Sequence, residues 1–319
     1  MPALATPKAS GAAILALARA GQRLVAVGER GIVLLSDDEG TTWRQAEVPV
    51  SVTLTGVQFV DARRGWAIGH LGVVLHTQDG GARWVRQLDG VRAAALALEA
   101  EQAAGVARGT AKSLVDDGPD KPLLDLHFEN ERVGWVVGAY SLAFRTEDGG
   151  KSWQSVMGRL PNPKGLHLYV IRAVGDALYV AGEQGLLLRS MDQGRSFESL
   201  PSPSKGSYFG LVCGRQGALL LYGLRGRAFL SSDGAASWSE VDTGTRASLS
   251  AGLTLASGAL LLASQAGELL LSRDGGRSFK PIANGRALPV TALLQSGADK
   301  LVAGSLRGVR KLDLAADLS

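Results

Sequence analysis

Short apolar runs separated by glycine-bearing polar turns occupy almost the whole chain. Between residues 54 and 88 four of them follow in order: Leu54–Val60, Gly65–Ile68, Val73–Thr77 and Trp84–Leu88. Each is too short for a helix, and together they are modestly enriched in β-branched residues, so each predicts a strand. The quartet recurs along the chain. Four short strands in about forty residues is the size of one blade of a β-propeller.

Two signatures count the blades. In the first, an apolar run ends in Gly, two residues intervene, and a further Gly or Ser opens the next run. The leading positions are Gly28, Gly69, Gly138, Gly182 and Gly223, then Ser264 and Ser305. In the second, Ser/Thr-x-Asp-x-Gly-x-x-Trp/Phe recurs around Asp38, Asp79, Asp148, Asp192, Asp233 and Asp274, at spacings of 41, 69, 44, 41 and 41. The fifth box carries Ala235 where the others have Gly. A carboxylate so placed accepts hydrogen bonds from N–H groups of its own turn, and the Ser/Thr hydroxyl joins it. The Gly permits a backbone angle that a Cβ resists, and the closing aromatic packs inward between sheets. The six Asp residues are therefore expected to be structural.

Ser305 lies 41 residues after Ser264, so there is a seventh repeat, although its box would fall near Asp313 and Ala315, where the pattern is absent. That repeat has sequence for three strands, Val290–Leu294, Leu301–Ala303 and Val309–Leu312. Residues before Gly11 belong to no blade of their own. The expectation is that Ala3–Ala9 supplies the missing outer strand and closes the ring, hiding two strand edges. The predicted fold is all-β, one domain over residues 1–319: a seven-bladed β-propeller of four-stranded antiparallel blades.

The 69-residue spacing exceeds 41 by 28, and the excess lies between Val91 and Pro122, an insertion of about residues 91–121 between blades 2 and 3. Ala93–Ala104 is rich in Ala, Leu, Glu and Gln and predicts helix. Gly105–Pro119, with three glycines and a closing Pro, reads as loop. A lid, a docking element and a passive loop all fit an insertion of this length.

Composition excludes several classes. With 45% hydrophobic and 20% charged residues the chain is globular, and its 42 glycines fit a fold made of tight turns. The single Cys213 rules out a disulfide framework and reads as a quiet buried thiol. The net charge of +4 is a mild bias, and no basic tract interleaved with aromatics suggests nucleic acid. No apolar run is long enough to span a membrane. Met1–Lys8 lacks the basic and apolar regions of a signal peptide, which fits a cytoplasmic protein and equally a mature chain whose signal has been removed.

Catalytic constellations are sparse. His70, His76, His127 and His167 show no metal-ligand spacing, and neither a metal nor a cofactor is expected. Ser202-Pro203-Ser204-Lys205 has a Ser-x-x-Lys spacing, but its prolines forbid the helix that chemistry needs. No nucleophile elbow and no phosphate-binding loop appears. Asp boxes also occur in sialidases, which need an arginine triad, a Tyr nucleophile with a Glu partner, and an acid/base Asp. The early Tyr/Phe-Arg-Ile-Pro element of those enzymes is missing here. The nearest string, Tyr169-Val170-Ile171-Arg172, has the wrong order and falls in the fourth blade. Tyr169, Tyr179 and Tyr222 sit at strand positions that predict core.

The string Phe59-Val60-Asp61 … Gly65-Trp66-Ala67-Ile68-Gly69 … Thr77-Gln78-Asp79-Gly80-Gly81-Ala82-Arg83-Trp84 is similar to the repeat of photosystem II stability/assembly factor-like propellers. Phe128 … Gly134-Trp135-Val136-Val137-Gly138 … Thr146-Glu147-Asp148-Gly149-Gly150-Lys151-Ser152-Trp153 repeats it. The resemblance covers essentially the whole chain, and later blades lack the Gly-Trp element, which points to a non-photosynthetic bacterial member. It implies a seven-bladed propeller, usually found outside the cytoplasm, that binds a membrane-protein client during assembly and catalyses nothing.

Topology places the turns between second and third strands, and the connections between blades, on one face. The turns bring Arg30, His70, Tyr140, Gln184, Arg225 and Arg307 there. The connections bring Arg159, Lys164, Lys205, Arg246 and Arg286, and the insertion emerges on the same side. Glu29, Glu183 and Asp242 are partial counterweights. Such a rim would steer an acidic protein partner. The leading expectation is a scaffold that docks a protein client through this face. The alternative is a carbohydrate-binding protein or divergent sialidase-like glycoside hydrolase, marked by two carboxylates and exposed aromatics over the central channel.

Overall fold

The computed structural model describes residues 1–105, 110–282 and 289–314. Seven antiparallel sheets follow one another around a central channel, and within each sheet the strands run outward in chain order. Their first strands ring the channel: Ile14–Ala20, Leu54–Phe59, Leu123–Phe128, Leu168–Val174, Tyr208–Cys213, Leu249–Thr254 and Val290–Gln295. The second strands are buried almost throughout, as in Leu260–Ser264, because each blade is covered on both faces by its neighbours. Their sequences are accordingly continuous apolar runs rather than alternating ones.

The recurrent Gly ending the second strand answers a close approach. A Cβ on Gly28 would lie 1.9 Å from the carbonyl oxygen of Ala13, and on Gly223 it would lie 2.1 Å from that of Ser207. The next residue donates its N–H to that same carbonyl, Glu29 to Ala13 at 2.9 Å and Leu224 to Ser207 at 3.1 Å. Each turn is thus stapled to the incoming connection, so turns and connections share one end of the ring. The boxes lie at the other end with the turns between first and second strands, where the N–H of Gly80 bonds Arg63 O at 2.9 Å.

Each box closes as its sequence predicts, and five of the six carry one addition. The Ser36 hydroxyl donates to Asp38 Oδ1 at 2.8 Å and accepts the Gly40 N–H at 2.8 Å. The addition is a second hydroxyl four residues after the Asp: Thr42, Ser152, Ser196, Ser237 and Ser278 each donate to the second carboxylate oxygen. Donation from Thr42 and Ser36 holds the Asp38 carboxyl down to about 2, and donation from Ser237 and Ser231 does the same for Asp233. An unfolded Asp titrates near 3.9, so this stabilisation is complete above that pH and is lost as pH falls toward about 2. Thermal melts are expected to show the midpoint falling from pH 4 to pH 2, with a shallower fall for Ser237→Ala.

The Gly-Trp elements have a packing cause. Phe59 pairs with Gly65 and Phe128 with Gly134, and each ring lies over its glycine, where a Cβ would be 2.6 Å and 2.3 Å from the ring respectively.

The insertion is more ordered than expected. α1 spans Gly90–Ala103, with the Asp89 side chain capping its start by accepting the Arg92 N–H. A second helix, α2, spans Thr110–Asp116, inside the stretch read as loop. Ala111 and Leu114, three apart on α2, are buried with Ala93, Ala94 and Ala97 of α1 in one core with Trp66, Leu123 and Phe144. The inserted helices are part of the wall of blades 2 and 3.

The N-terminal segment does not add a strand to blade 7, which keeps three strands among the described residues. The Ala3 N–H bonds Val48 O at 3.0 Å, while Gln45 accepts from the Thr6 N–H and donates to Leu4 O, both at 3.0 Å. Residues 3–6 therefore line the outer edge of blade 1, where backbone and Gln45 partners were already available. Ala9–Gly11 form a turn that abuts Gly308 at the start of the last strand. The seam is closed by side chains: Arg19 donates to Gln295 O at 2.8 Å, Thr291 to Ile14 O, and Lys311 to Thr41 at 3.1 Å.

Candidate functional site

The turns at the connection end share an unusual backbone. Arg30, Leu71, Tyr140, Gln184 and Arg225 hold φ between 52° and 58°, the left-handed region, at the same place in five successive blades. Such strain in non-glycine residues costs about 1–3 kcal/mol each and persists where the surroundings impose it. In blade 2 the tip is Leu71, and His70 precedes it. Arg30, His70, Tyr140, Gln184, Arg225 and Arg307 are all exposed on these turns, as are Lys164, Lys205 and Arg246 on the connections. Arg159 is exposed too, but its Nη1 reaches Gly194 O in the box turn of blade 4 at 3.3 Å. Arg286 lies outside the described residues.

Charge on this face is unevenly spent. Glu29 accepts the Ala13 N–H at 2.9 Å, Glu183 the His167 N–H at 3.1 Å, and Asp242 the Gly244 N–H at 2.9 Å. Glu268 takes the hydroxyls of Thr245 and Ser264. Among the described residues Arg30, Lys164, Lys205, Arg225, Arg246 and Arg307 form no ion pair, whereas the neighbouring Arg227 is held by Glu240 at 2.7 Å. The acids serve the turns; these cations face outward.

A row of rings leads from this face into the channel. The Tyr140 N–H donates to His167 Nδ1 at 3.1 Å, and their rings meet edge to face at 4.8 Å. His167 meets Tyr169 at 6.1 Å, and Tyr169 meets Phe209 at 5.5 Å. Lys121 sits over the Tyr140 ring at 5.2 Å.

The channel, about 500 Å3, is lined by all seven first strands. Asp125 and Arg172 face each other there, Nη1 to Oδ2 at 2.5 Å, with the Ile171 N–H on the same oxygen at 2.8 Å. Tyr222 comes from a second strand and reaches the channel past Gly210, where a Cβ would lie 2.0 Å from its ring. Of the three tyrosines expected in the core, Tyr179 and Tyr222 are there, Tyr179 donating to Gly234 O at 3.2 Å and Tyr222 packing with Leu220 and Leu249 while also reaching the channel; Tyr169 is half-buried and lines the channel. Asp125 is not among the residues expected at a site from the sequence. The signal was its place in the repeat, where the other blades carry Ala16, Gly56, Val170, Gly210, Ala251 and Ala292.

A family model described as "Photosynthesis system II assembly factor YCF48" matches residues 35–103 and 112–254. The chain belongs to this family. A curated relative in the YCF48 family, the "Photosystem II assembly lipoprotein Ycf48" of Synechococcus sp. (strain CC9902), is 25% identical over 169 residues, covering 52% of this chain and 42% of the relative. The chain thus matches under half the length of that YCF48 protein. A solved structure of "YCF48 bound to D1 peptide" superposes with a TM-score of 0.72 at 16% identity, over 99% of this chain and 96% of that one. The GH74 xyloglucanase from Xanthomonas campestris also superposes at 0.72, with 14% identity, over 99% of this chain and 54% of that one. At such identities the likeness is one of propeller fold. No helix among the described residues is long and apolar enough to cross a membrane.

Proposed function

We propose that this protein is a non-catalytic assembly scaffold that docks an acidic protein client through the turn-and-connection face, outside the cytoplasm. The observation that carries the reading is the excess of outward cations without an ion pair on that face, Arg30, Lys164, Lys205, Arg225, Arg246 and Arg307, over Glu29, Glu183 and Asp242, whose carboxylates are turned to backbone N–H groups. Field lines from such a rim steer and orient an acidic surface. Membership of an assembly-factor family, a relative described as an assembly lipoprotein, and a solved relative bound to a D1 peptide all support a client drawn from a membrane complex. The glycosidase alternative calls for two carboxylates over the channel. The described lining has one, Asp125, already tied to Arg172.

The test begins with capture of the client from gently solubilised native membranes, followed by titration of the isolated client. Replacing Arg225, Arg246 and Arg307 together is expected to weaken binding by at least about tenfold and to flatten its salt dependence. Unchanged affinity in the triple variant would remove the rim from the mechanism. Arg225→Gly separates binding from stability. Glycine relieves the left-handed strain at φ 58°, so the melting temperature is expected to hold or rise while affinity drops.

A further inference from the structure

The rim does not account for the polar side of the channel. Along the seven first strands, the channel residues of blades 6, 7, 1 and 2 are aliphatic or uncharged polar ones such as Leu15, Leu17, Val57, Gln58, Ser250 and Leu293. Blades 3 to 5 differ. Asp125, His127, Arg172, Tyr169, Phe209 and Tyr222 gather there. An ion pair set inside a fold is a weak source of stability, because desolvation offsets most of its attraction. A cross-link between blades 3 and 4 alone would not require the pair to face a cavity. Yet 45% of the Arg172 side-chain surface is exposed, against 13% for Asp125, so Arg172 is the more open partner of the two that line the channel.

Its orientation is fixed from behind. Nη1 is committed to Asp125 Oδ2 at 2.5 Å and to Ile171 O at 2.7 Å. Nε and Nη2 have no protein acceptor among the described residues, and the side chain that carries them is exposed. That edge of a guanidinium offers two parallel N–H donors, the geometry that grips a carboxylate with both oxygens. The Tyr222 phenol stands within electrostatic reach of Arg172, and both neighbouring first strands accommodate it with glycine. A Cβ on Gly252 would lie 2.7 Å from the Tyr222 ring, as one on Gly210 would at 2.0 Å. Tyr169 and Phe209 supply an apolar aromatic wall beside this polar group, and the aliphatic half of the channel lies opposite. A pocket of this volume with one oriented charge and apolar walls matches a small ligand site.

We propose that the central channel binds a carboxylate attached to an apolar or aromatic body, with Arg172 gripping the carboxylate, Tyr222 adding a hydrogen bond, and Tyr169 and Phe209 receiving the body. The ligand is a free organic acid or a carboxylate of a peptide, and the two share this chemistry. The site is independent of the client-docking rim: loss of rim binding leaves it intact, and its own failure leaves the rim reading untouched.

The 319-residue protein is titrated by calorimetry and by ligand-observed NMR. The probes are 3-phenylpropionate and its amide, and an octapeptide ending in Phe as free acid and as amide. Wild type is expected to bind an acid at least about tenfold more tightly than its amide. The Asp125→Asn/Arg172→Gln double variant, which removes both charges together and leaves no orphan charge, should lose that preference while keeping its melting temperature within a few degrees. Tyr222→Phe keeps the ring between its two glycines and should weaken acid binding severalfold, which supplies a test even if the double variant does not fold. Saturable binding of the small acid assigns the site to free acids, and binding of the peptide acid alone assigns it to a chain carboxylate. Equal binding of acids and amides, no saturable binding by wild type at millimolar ligand, or a preference kept by the folded double variant would each overturn the proposal.

Discussion

Replacing Trp66 with Ala is expected to destabilise the protein by about 3–5 kcal/mol, the range for emptying a fully buried aromatic site. Trp66 has no exposed surface. Its ring lies against Phe128 of the next blade at 3.7 Å and 8°, and against His76 of its own blade at 4.9 Å. One side chain thus bridges blades 2 and 3 within their shared core. Its Nε1 also donates to Gly149 O at 3.2 Å, but that carbonyl accepts from Gln87 Nε2 at 2.8 Å as well. Losing the indole N–H therefore leaves no orphaned acceptor, and packing carries most of the effect. The comparison that decides this is Trp66→Phe. It keeps a ring between Phe128 and His76 and is expected to lose much less, about 1–2 kcal/mol. Denaturant titration of both variants reads the difference. A Phe variant as unstable as the Ala variant would shift the weight from packing to the hydrogen bond.

Period and punctuation made the propeller legible, because each blade must meet the same steric demands. Gly28 and its equivalents recur since a backbone carbonyl occupies the place of their Cβ, and that requirement is local. The turn tips were legible for the same reason: a fixed offset from that Gly defines each tip, so the repeat alone assigns Arg30, Tyr140, Gln184 and Arg225 to equivalent turns. Ring closure was not legible. Counting strands says that an edge is open, but not which polar partners are nearest to a free segment, and residues 3–6 found theirs on Gln45 and Val48. α2 was hidden by flanking glycines, although Ala111 and Leu114 at helical spacing were its trace. The channel was the deepest miss. Tyr222 is core, as its strand position predicts, but its reach into the channel depends on the absence of a side chain at Gly210, twelve residues away and on another strand.

Acidification should act in two separate windows, and the upper one belongs to histidine. Burial pushes the His127 imidazole down to about 4, helped by the Arg172 charge and opposed by Asp125. An unfolded histidine titrates near 6.5, so between those values the unfolded chain binds the extra proton. Stability is then complete above about pH 6.5 and falls as pH drops toward 4. A gap of about 2.5 pKa units corresponds to about 3 kcal/mol. His76 is also lowered by burial, then by Arg64, and loses stability in the same direction. The box carboxylates act later, below about pH 4, because their folded values lie under the unfolded one. His127→Phe should therefore flatten most of the slope between pH 6.5 and 4 while leaving the lower window untouched. His127 suits this change, since its Nε2 has no hydrogen-bond partner among the described residues and its ring already stacks on Trp135 at 6.2 Å. Unfolding free energies measured at half-unit pH steps for both proteins give the answer. An unchanged slope in the variant would assign the upper window to His76 instead.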